Sequence, residues 1–213
     1  LKEDTLAGHL EITEALHHSF SGTWEQIWGE DRIVENNYHE MTIRVQKTST
    51  PKRKFNVVFR LFNDGFGFRY EFPEQEALKD FVIMDELTEF ALTGDHKAWS
   101  IPYEAHFYEA LYEASPVSKL GWVSTPLTME TNDGLFLSIH EANLTDYAAM
   151  NLIPKEGSMT LKANLTPWST GEKVFMKAPG VTPWRTMIVA ESAGDLLLSR
   201  LMLNLNEPCR IQD

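Results

Sequence analysis

A chain of 213 residues with 43% hydrophobic and 23% charged side chains has the composition of an ordered globular protein, able to bury about 70% of its unfolded surface without disulfides or a structural metal. Its 31 Asp and Glu against 19 Lys and Arg give a net charge of -12, a field that repels a phosphate backbone and argues against nucleic acid as a partner. One cysteine, Cys209, permits no internal disulfide and no cysteine-based zinc motif, and no apolar run reaches the ~20 residues of a transmembrane helix.

The chain opens on Leu1-Lys2-Glu3-Asp4, with neither an initiator Met nor a signal-peptide pattern, so the expectation is that upstream residues have been removed and the start is trimmed. Between Glu3 and Asp31 no Lys or Arg occurs, whereas Arg44, Lys47, Lys52, Arg53 and Lys54 form a basic run, read as the polar face and turn of a hairpin. Residues Tyr38 to Lys47 alternate Met41, Ile43 and Val45 with Thr42, Arg44 and Gln46, as a strand with one wet face does. From Lys54 to Phe72 two runs of β-formers flank Asn63-Asp64-Gly65, a hairpin signal because Asp and Gly tolerate left-handed dihedrals. Gly65 and Gly67 lack the spacing and Lys of a phosphate loop and read as turn or close sheet contacts.

Residues Phe81 to Leu92 read as a strand, with a helix as the alternative because Asp85 and Glu86 interrupt it. Asp85-Glu86 is taken as containing solvated charge. Between Ala98 and Leu120, Trp99, Tyr103, Phe107, Tyr108 and Tyr112 mix with Glu104, His106, Glu109 and Glu113. That mixture suits an excursion covering an interface or a sugar-binding rim, or a loop or short helix tucked onto its own sheet. Strands are expected again at Leu127 to Glu130, from Leu135 to Glu141 beyond an Asn132-Asp133-Gly134 turn, at Met159 to Leu165 and at Gly180 to Ala190. Leu196 to Leu205 is a further strand candidate, with Leu196 to Leu203 also readable as a short helix, and Asn206-Glu207-Pro208-Cys209-Arg210 follows abruptly, as a second cut edge would. The absence of repeats and low-complexity linkers favours one sandwich-like domain over residues 1–213.

Chemistry-bearing constellations are weak. The seven histidines show no metal-ligand spacing, and Ser138 and Ser169 lack a nucleophile elbow. No catalytic residue is therefore assigned. Glu141 stands out because it shares a strand face with Leu135, Leu137 and Ile139; it emerges into water, accepts structural hydrogen bonds, or meets a hard cation such as calcium. Trp184-Arg185 can form a stacked or carboxylate-binding pair. The tryptophans fit either a sugar platform or a large β core.

Several runs together resemble the amino-terminal domain of glycoside hydrolase family 97: Gly22 to Glu30 with Asn36-Asn37-Tyr38-His39-Glu40; Asn63 to Tyr70; Ile139 to Tyr147; Pro183-Trp184-Arg185; and Asn204-Leu205-Asn206-Glu207-Pro208. The resemblance implies a mainly β, galactose-mutarotase-like antiparallel β-supersandwich, followed by a catalytic barrel that these residues do not include. It implies a periplasmic or secreted, calcium-dependent α-glycosidase acting on oligosaccharides, glucosides or galactosides, of which this chain alone is inactive. It places Glu141 as a calcium ligand. It makes Trp99, Tyr103, Glu104, Tyr108, Trp184 and Arg185 candidates for the domain interface or substrate rim, with the protein's own barrel as partner. The alternative is a carbohydrate-binding β domain of another family.

Overall fold

The structure, a computed structural model, describes residues 5–209; Leu1-Lys2-Glu3-Asp4 and Arg210 lie outside the described residues. Extended backbone dominates, because β-branched and aromatic residues recur at two-residue spacing between Asn, Asp, Gly and Pro turns. In chain order the strands are β1 Leu10–Glu25, β2 Ile33–Lys47, β3 Lys54–Phe62, β4 Gly65–Phe72, β5 Asp80–Ile83, β6 Glu89–Ala91, β7 Lys97–Ser100 and β8 Glu113–Pro116. They continue as β9 Val123–Ser124, β10 Leu127–Glu130, β11 Phe136–Ala142, β12 Met150–Pro154, β13 Thr160–Leu165, β14 Val174–Lys177, β15 Gly180–Val181 and β16 Trp184–Ala190, before the helices α1 Ala193–Leu198 and α2 Leu201–Leu205.

Among the described residues the pairings are antiparallel. A 10-stranded sheet runs β1-β2-β3-β4-β16-β11-β10-β7-β8 with β15 on β4, a 4-stranded sheet runs β6-β13-β12-β9, and β14 pairs β5. The expected mainly β, antiparallel sandwich is the observed architecture. One core lies between the large sheet and the 4-stranded sheet, where Leu127, Ile139, Leu152, Leu161 and Leu165 are fully buried; each contributes about 1.5–3 kcal/mol relative to exposure. A second core lies on the opposite face, where Val58, Phe62 and Trp184 pack beneath Leu201 and Leu205 of α2.

The turn at Asn63-Asp64 joins β3 to β4 as its chemistry predicts. Gly65 has φ +145°, and a Cβ there would lie 2.2 Å from the Met187 carbonyl oxygen; at Gly67 it would lie 2.6 Å from Leu205 Cδ1. Both glycines are thus close-approach positions. The Phe81 to Leu92 segment is split instead of continuous: β5 ends at Ile83, β6 starts at Glu89, and neither helix nor strand forms between them. The strand reading of Leu196 to Leu205 gives way to helix, broken at Ser199-Arg200 into α1 and α2, with Ser192 Oγ accepting from Asp195 N–H at 3.2 Å to cap α1. The middle of the Ala98 to Leu120 excursion is irregular, while β7 and β8 pair across its base and a 3-10 turn, Val117–Lys119, follows.

Candidate functional site

β11 and β16 are neighbours in register, with Glu141 directly opposite Arg185. Side chains opposite one another on paired strands share a face about 5 Å apart, so a carboxylate here meets a guanidinium. Arg185 is completely buried. Its Nη1 donates to Glu141 Oε2 at 2.6 Å, and its Nε and Nη2 donate to Glu86 Oε1 and Oε2 at 2.8 and 2.6 Å. The fork to Glu86 is bidentate, the strongest geometry for this pair of groups. Glu141 Oε1 accepts from Met150 N–H at 2.9 Å, and Thr88 Oγ1 donates to Glu86 Oε1 at 2.8 Å with Tyr70 Oη 2.9 Å behind it. Arg185 also sits 5.7 Å from the Tyr147 ring centroid.

This clamp joins both sheets: Arg185 and Glu141 come from the large sheet, Met150 from β12, and Glu86 from the loop that precedes β6. Of the three readings of Glu141, structural hydrogen bonding is the one adopted; emergence into water is not, since the residue is 6% exposed. The reading of Asp85-Glu86 as containing solvated charge holds for Asp85 and not for Glu86. Asp85 meets Lys162 at the surface at 2.6 Å, but Glu86 is 6% exposed and fully engaged. Sequence carried no signal for it, because its partner is 99 residues away.

Trp184-Arg185 is a carboxylate-binding and stacked pair, as its chemistry suggested. It is not a surface: Trp184 is 1% exposed and lies between Arg60 and Arg69, whose guanidinium carbons are 4.9 and 4.4 Å from its ring. Both residues therefore leave the set of rim candidates, since packing within the domain already consumes their faces. The remaining candidates stay together on the excursion. Trp99 is half-buried with Lys97 Nζ 4.4 Å from its ring. Tyr103 packs 5.8 Å from Trp122, and its hydroxyl lies 3.3 Å from Thr166 Oγ1. Glu104 and Tyr108 are exposed, as are Phe107, Leu111 and Tyr112 beside them. The base of this rim reaches towards the clamp, for Thr166 N–H donates to Ala149, the residue before Met150.

Calcium takes six to eight oxygen ligands. Each Glu141 oxygen already accepts a hydrogen bond, and the guanidinium 2.6 Å from Oε2 opposes a second cation. Among the described residues no group of three or more His, Cys, Asp or Glu is placed to hold a metal. The residues present at Glu141 do not fit a calcium site.

Comparison with known proteins places the chain. Residues 1–208 match the family described as glycosyl-hydrolase 97 N-terminal. The chain belongs to that family. Its relatives include the retaining alpha-galactosidase of Bacteroides thetaiotaomicron, 25% identical, with 84% of this chain and 31% of that protein covered. Another is the probable retaining alpha-galactosidase of Streptomyces bingchenggensis, 29% identical over 66% of this chain and 21% of that one. Among solved structures, a Glycoside Hydrolase Family 97 enzyme from Pseudoalteromonas sp. strain K8 in complex with acarbose superposes with a TM-score of 0.91 at 39% identity, covering 96% of this chain and 31% of that one. The chain thus spans about a third of the length of that enzyme and of the Bacteroides relative. A beta-arabinopyranosidase, 20% identical with a TM-score of 0.75, shares the fold.

In this glycosyl-hydrolase 97 N-terminal domain, burial pushes the Glu141 carboxyl above its ordinary range, while Arg185 and the Met150 N–H pull it back and Glu86 pushes it further up. A carboxyl whose folded pKa exceeds its unfolded value holds its proton more tightly when folded. Its ionisation therefore costs stability above the folded pKa, and that cost is relieved as pH falls towards the unfolded value of about 4.3. Denaturant titrations of the wild type and Glu141→Gln should show the difference in unfolding free energy shifting in favour of the wild type on acidification from neutrality. A constant difference, or a shift the other way, would contradict the raised pKa.

Proposed function

We propose that this domain is the non-catalytic amino-terminal part of an α-glycoside hydrolase, packed on the catalytic barrel of the same polypeptide and bordering an oligosaccharide cleft with Trp99, Tyr103, Glu104 and Tyr108. The observation that carries the non-catalytic reading is the clamp. Glycosidase chemistry needs two carboxyl groups flanking a sugar, one of them free to give or take a proton. Here the buried pair Glu86 and Glu141 is locked on one guanidinium and shielded from solvent, so neither acid reaches a substrate.

Calcium, on this proposal, belongs to the full-length enzyme with its ligands outside the clamp, and Glu141 serves as a clamp arm. The supersandwich is of the galactose-mutarotase type, and a periplasmic or secreted location suits an enzyme of external oligosaccharides. Exposed Tyr108 and half-buried Tyr103 favour the rim role, because aromatic faces stack on sugar rings while a neighbouring carboxylate such as Glu104 accepts from hydroxyls.

The test is turnover of aryl α-glucosides and α-galactosides by residues 1–213 and by the full-length protein, with and without chelator. The expected result is activity in the full-length protein, calcium dependence that survives Glu141→Gln, and none in the isolated domain. Turnover by the isolated domain would reject the non-catalytic reading, and loss of calcium affinity in Glu141→Gln would restore that residue as a ligand.

A further inference from the structure

We propose that the tip of the β1–β2 hairpin, together with the outer face of the two helices, is the surface on which the catalytic barrel of the same polypeptide docks. This rests on the reading of the chain as the amino-terminal part of a larger hydrolase, and it names a surface distinct from the aromatic excursion.

The tip belongs to the run Gly22 to Glu30, which nothing in the clamp or the excursion uses. Gln26 N–H donates to the Arg32 carbonyl at 2.8 Å and closes the loop, and Gln26 Nε2 donates to the Trp28 carbonyl at 2.5 Å. Gly29 completes it with φ +131°, where a Cβ would lie 1.9 Å from Gln26 Nε2. This constrained loop holds two apolar side chains outwards: Ile27 is 64% exposed and Trp28 75%. A loop closed by these hydrogen bonds that turns a tryptophan towards water adds nothing to the domain's own packing, whereas aromatic anchors are what interface centres use.

The same tip is pinned to the helices. Arg200 pairs with Asp31 and donates to the Leu198 carbonyl at 3.0 Å. Trp24 Nε1 donates to Asn204 Oδ1, and Asn204 Nδ2 to the Glu35 carbonyl, each at 2.9 Å. Leu197, Leu198 and Leu203 of the helices are exposed to 84%, 65% and 37%. Hairpin tip and helices therefore form one fixed, partly apolar surface.

The barrel is the occupant because of what adjoins the surface. α2 leads to Asn206, whose side chain accepts from Asn143 N–H at 2.8 Å and holds the onward chain beside the helices. In the Pseudoalteromonas enzyme the matched part is 31% of the chain, so the larger share of such a protein lies beyond it. A body tethered at this point meets the adjoining surface at high effective concentration. A sugar is a poorer fit, since the patch carries Ile and Leu with one aromatic ring.

Hydroxyl-radical footprinting of the full-length enzyme, read by mass spectrometry with each rate referred to the same residue in the denatured chain, tests this. The expected result is that Trp28 reacts roughly tenfold slower than in the denatured chain, as a ring desolvated at an interface centre should, with protection unchanged on dilution. Trp28 reacting near its denatured rate while Tyr108 and Tyr112 are protected would overturn this surface and leave barrel docking at the excursion. All three reacting freely would overturn both this inference and the docking reading. Protection of Trp28 that fades on dilution would assign the surface to a second copy of the chain and overturn the proposal.

Discussion

Arg185→Met is expected to destabilise the domain by about 3–5 kcal/mol, the range for removing one partner of a buried ion pair. Methionine fills much of the arginine volume, so little of the loss arises from a cavity. What remains is two carboxyl groups, Glu86 and Glu141, each 6% exposed and deprived of the guanidinium that both of them bind. Their remaining donors are the Thr88 hydroxyl and the Met150 N–H, too few for two charges away from water. Chemical denaturation of the variant at neutral pH would measure the loss. The loss should shrink on acidification, because each carboxyl can then take up a proton and need no cation. A loss below about 1 kcal/mol, the scale of an exposed pair, would show that the clamp is solvated or rearranged.

The clamp also explains why a charged cluster sits inside a β-sandwich. Replacing a whole buried ion cluster by apolar residues is often neutral or stabilising, so net stability is a weak reason for its presence. Position is a better one. Arg185 ties the large sheet to the loop before β6, and Glu141 ties the same sheet to the start of β12. Beside Met150 stands Ala149, whose carbonyl accepts from Thr166, and Thr166 meets Tyr103 at the root of the excursion. Loss of Arg185 would therefore loosen the support of the rim as well as the core.

How much of this was legible in the sequence depended on whether each feature was local. The β3–β4 hairpin was legible because strand periodicity and an Asn-Asp-Gly turn lie within one short run. The shared face of Leu137, Ile139 and Glu141 was legible for the same reason, and so was the need of Glu141 for compensation. Its partner was not legible, since Glu86 and Arg185 lie 99 positions apart and nothing in Asp85-Glu86 tells the buried acid from the exposed one. Trp184-Arg185 looks the same as an interface pair or a core pair; only the flanking Arg60 and Arg69, contributed by β3 and β4, decide it. β1 escaped notice although it runs for 16 residues, because it is the edge strand beside β2 and is mostly exposed, so no alternation between wet and dry faces marks it.

Gly65→Ala is expected to be the second large effect, at about 3 kcal/mol or more, since strained backbone and overpacking each cost about 1–3 kcal/mol. Gly65 opens β4 at φ +145°, a region closed to alanine. The added carbon would lie 2.2 Å from the Met187 carbonyl oxygen and 2.9 Å from Ile188 Cα, both backbone atoms of the adjacent strand. Neither can swing aside as a side-chain tip does. The strand would have to withdraw from β16 at the pairs Met187↔Phe66 and Ile188↔Gly65, and Leu201, whose Cδ1 lies 3.0 Å from the same point, would lose its seat under α2. Gly134→Ala is the matched control: its φ is also positive, at +89°, but a Cβ there meets nothing within 4 Å, so only the backbone strain remains. Thermal and denaturant unfolding of the two variants should separate the contributions, with Gly65→Ala clearly the more damaging. Equal losses would mean that β4 and β16 are not in this close register.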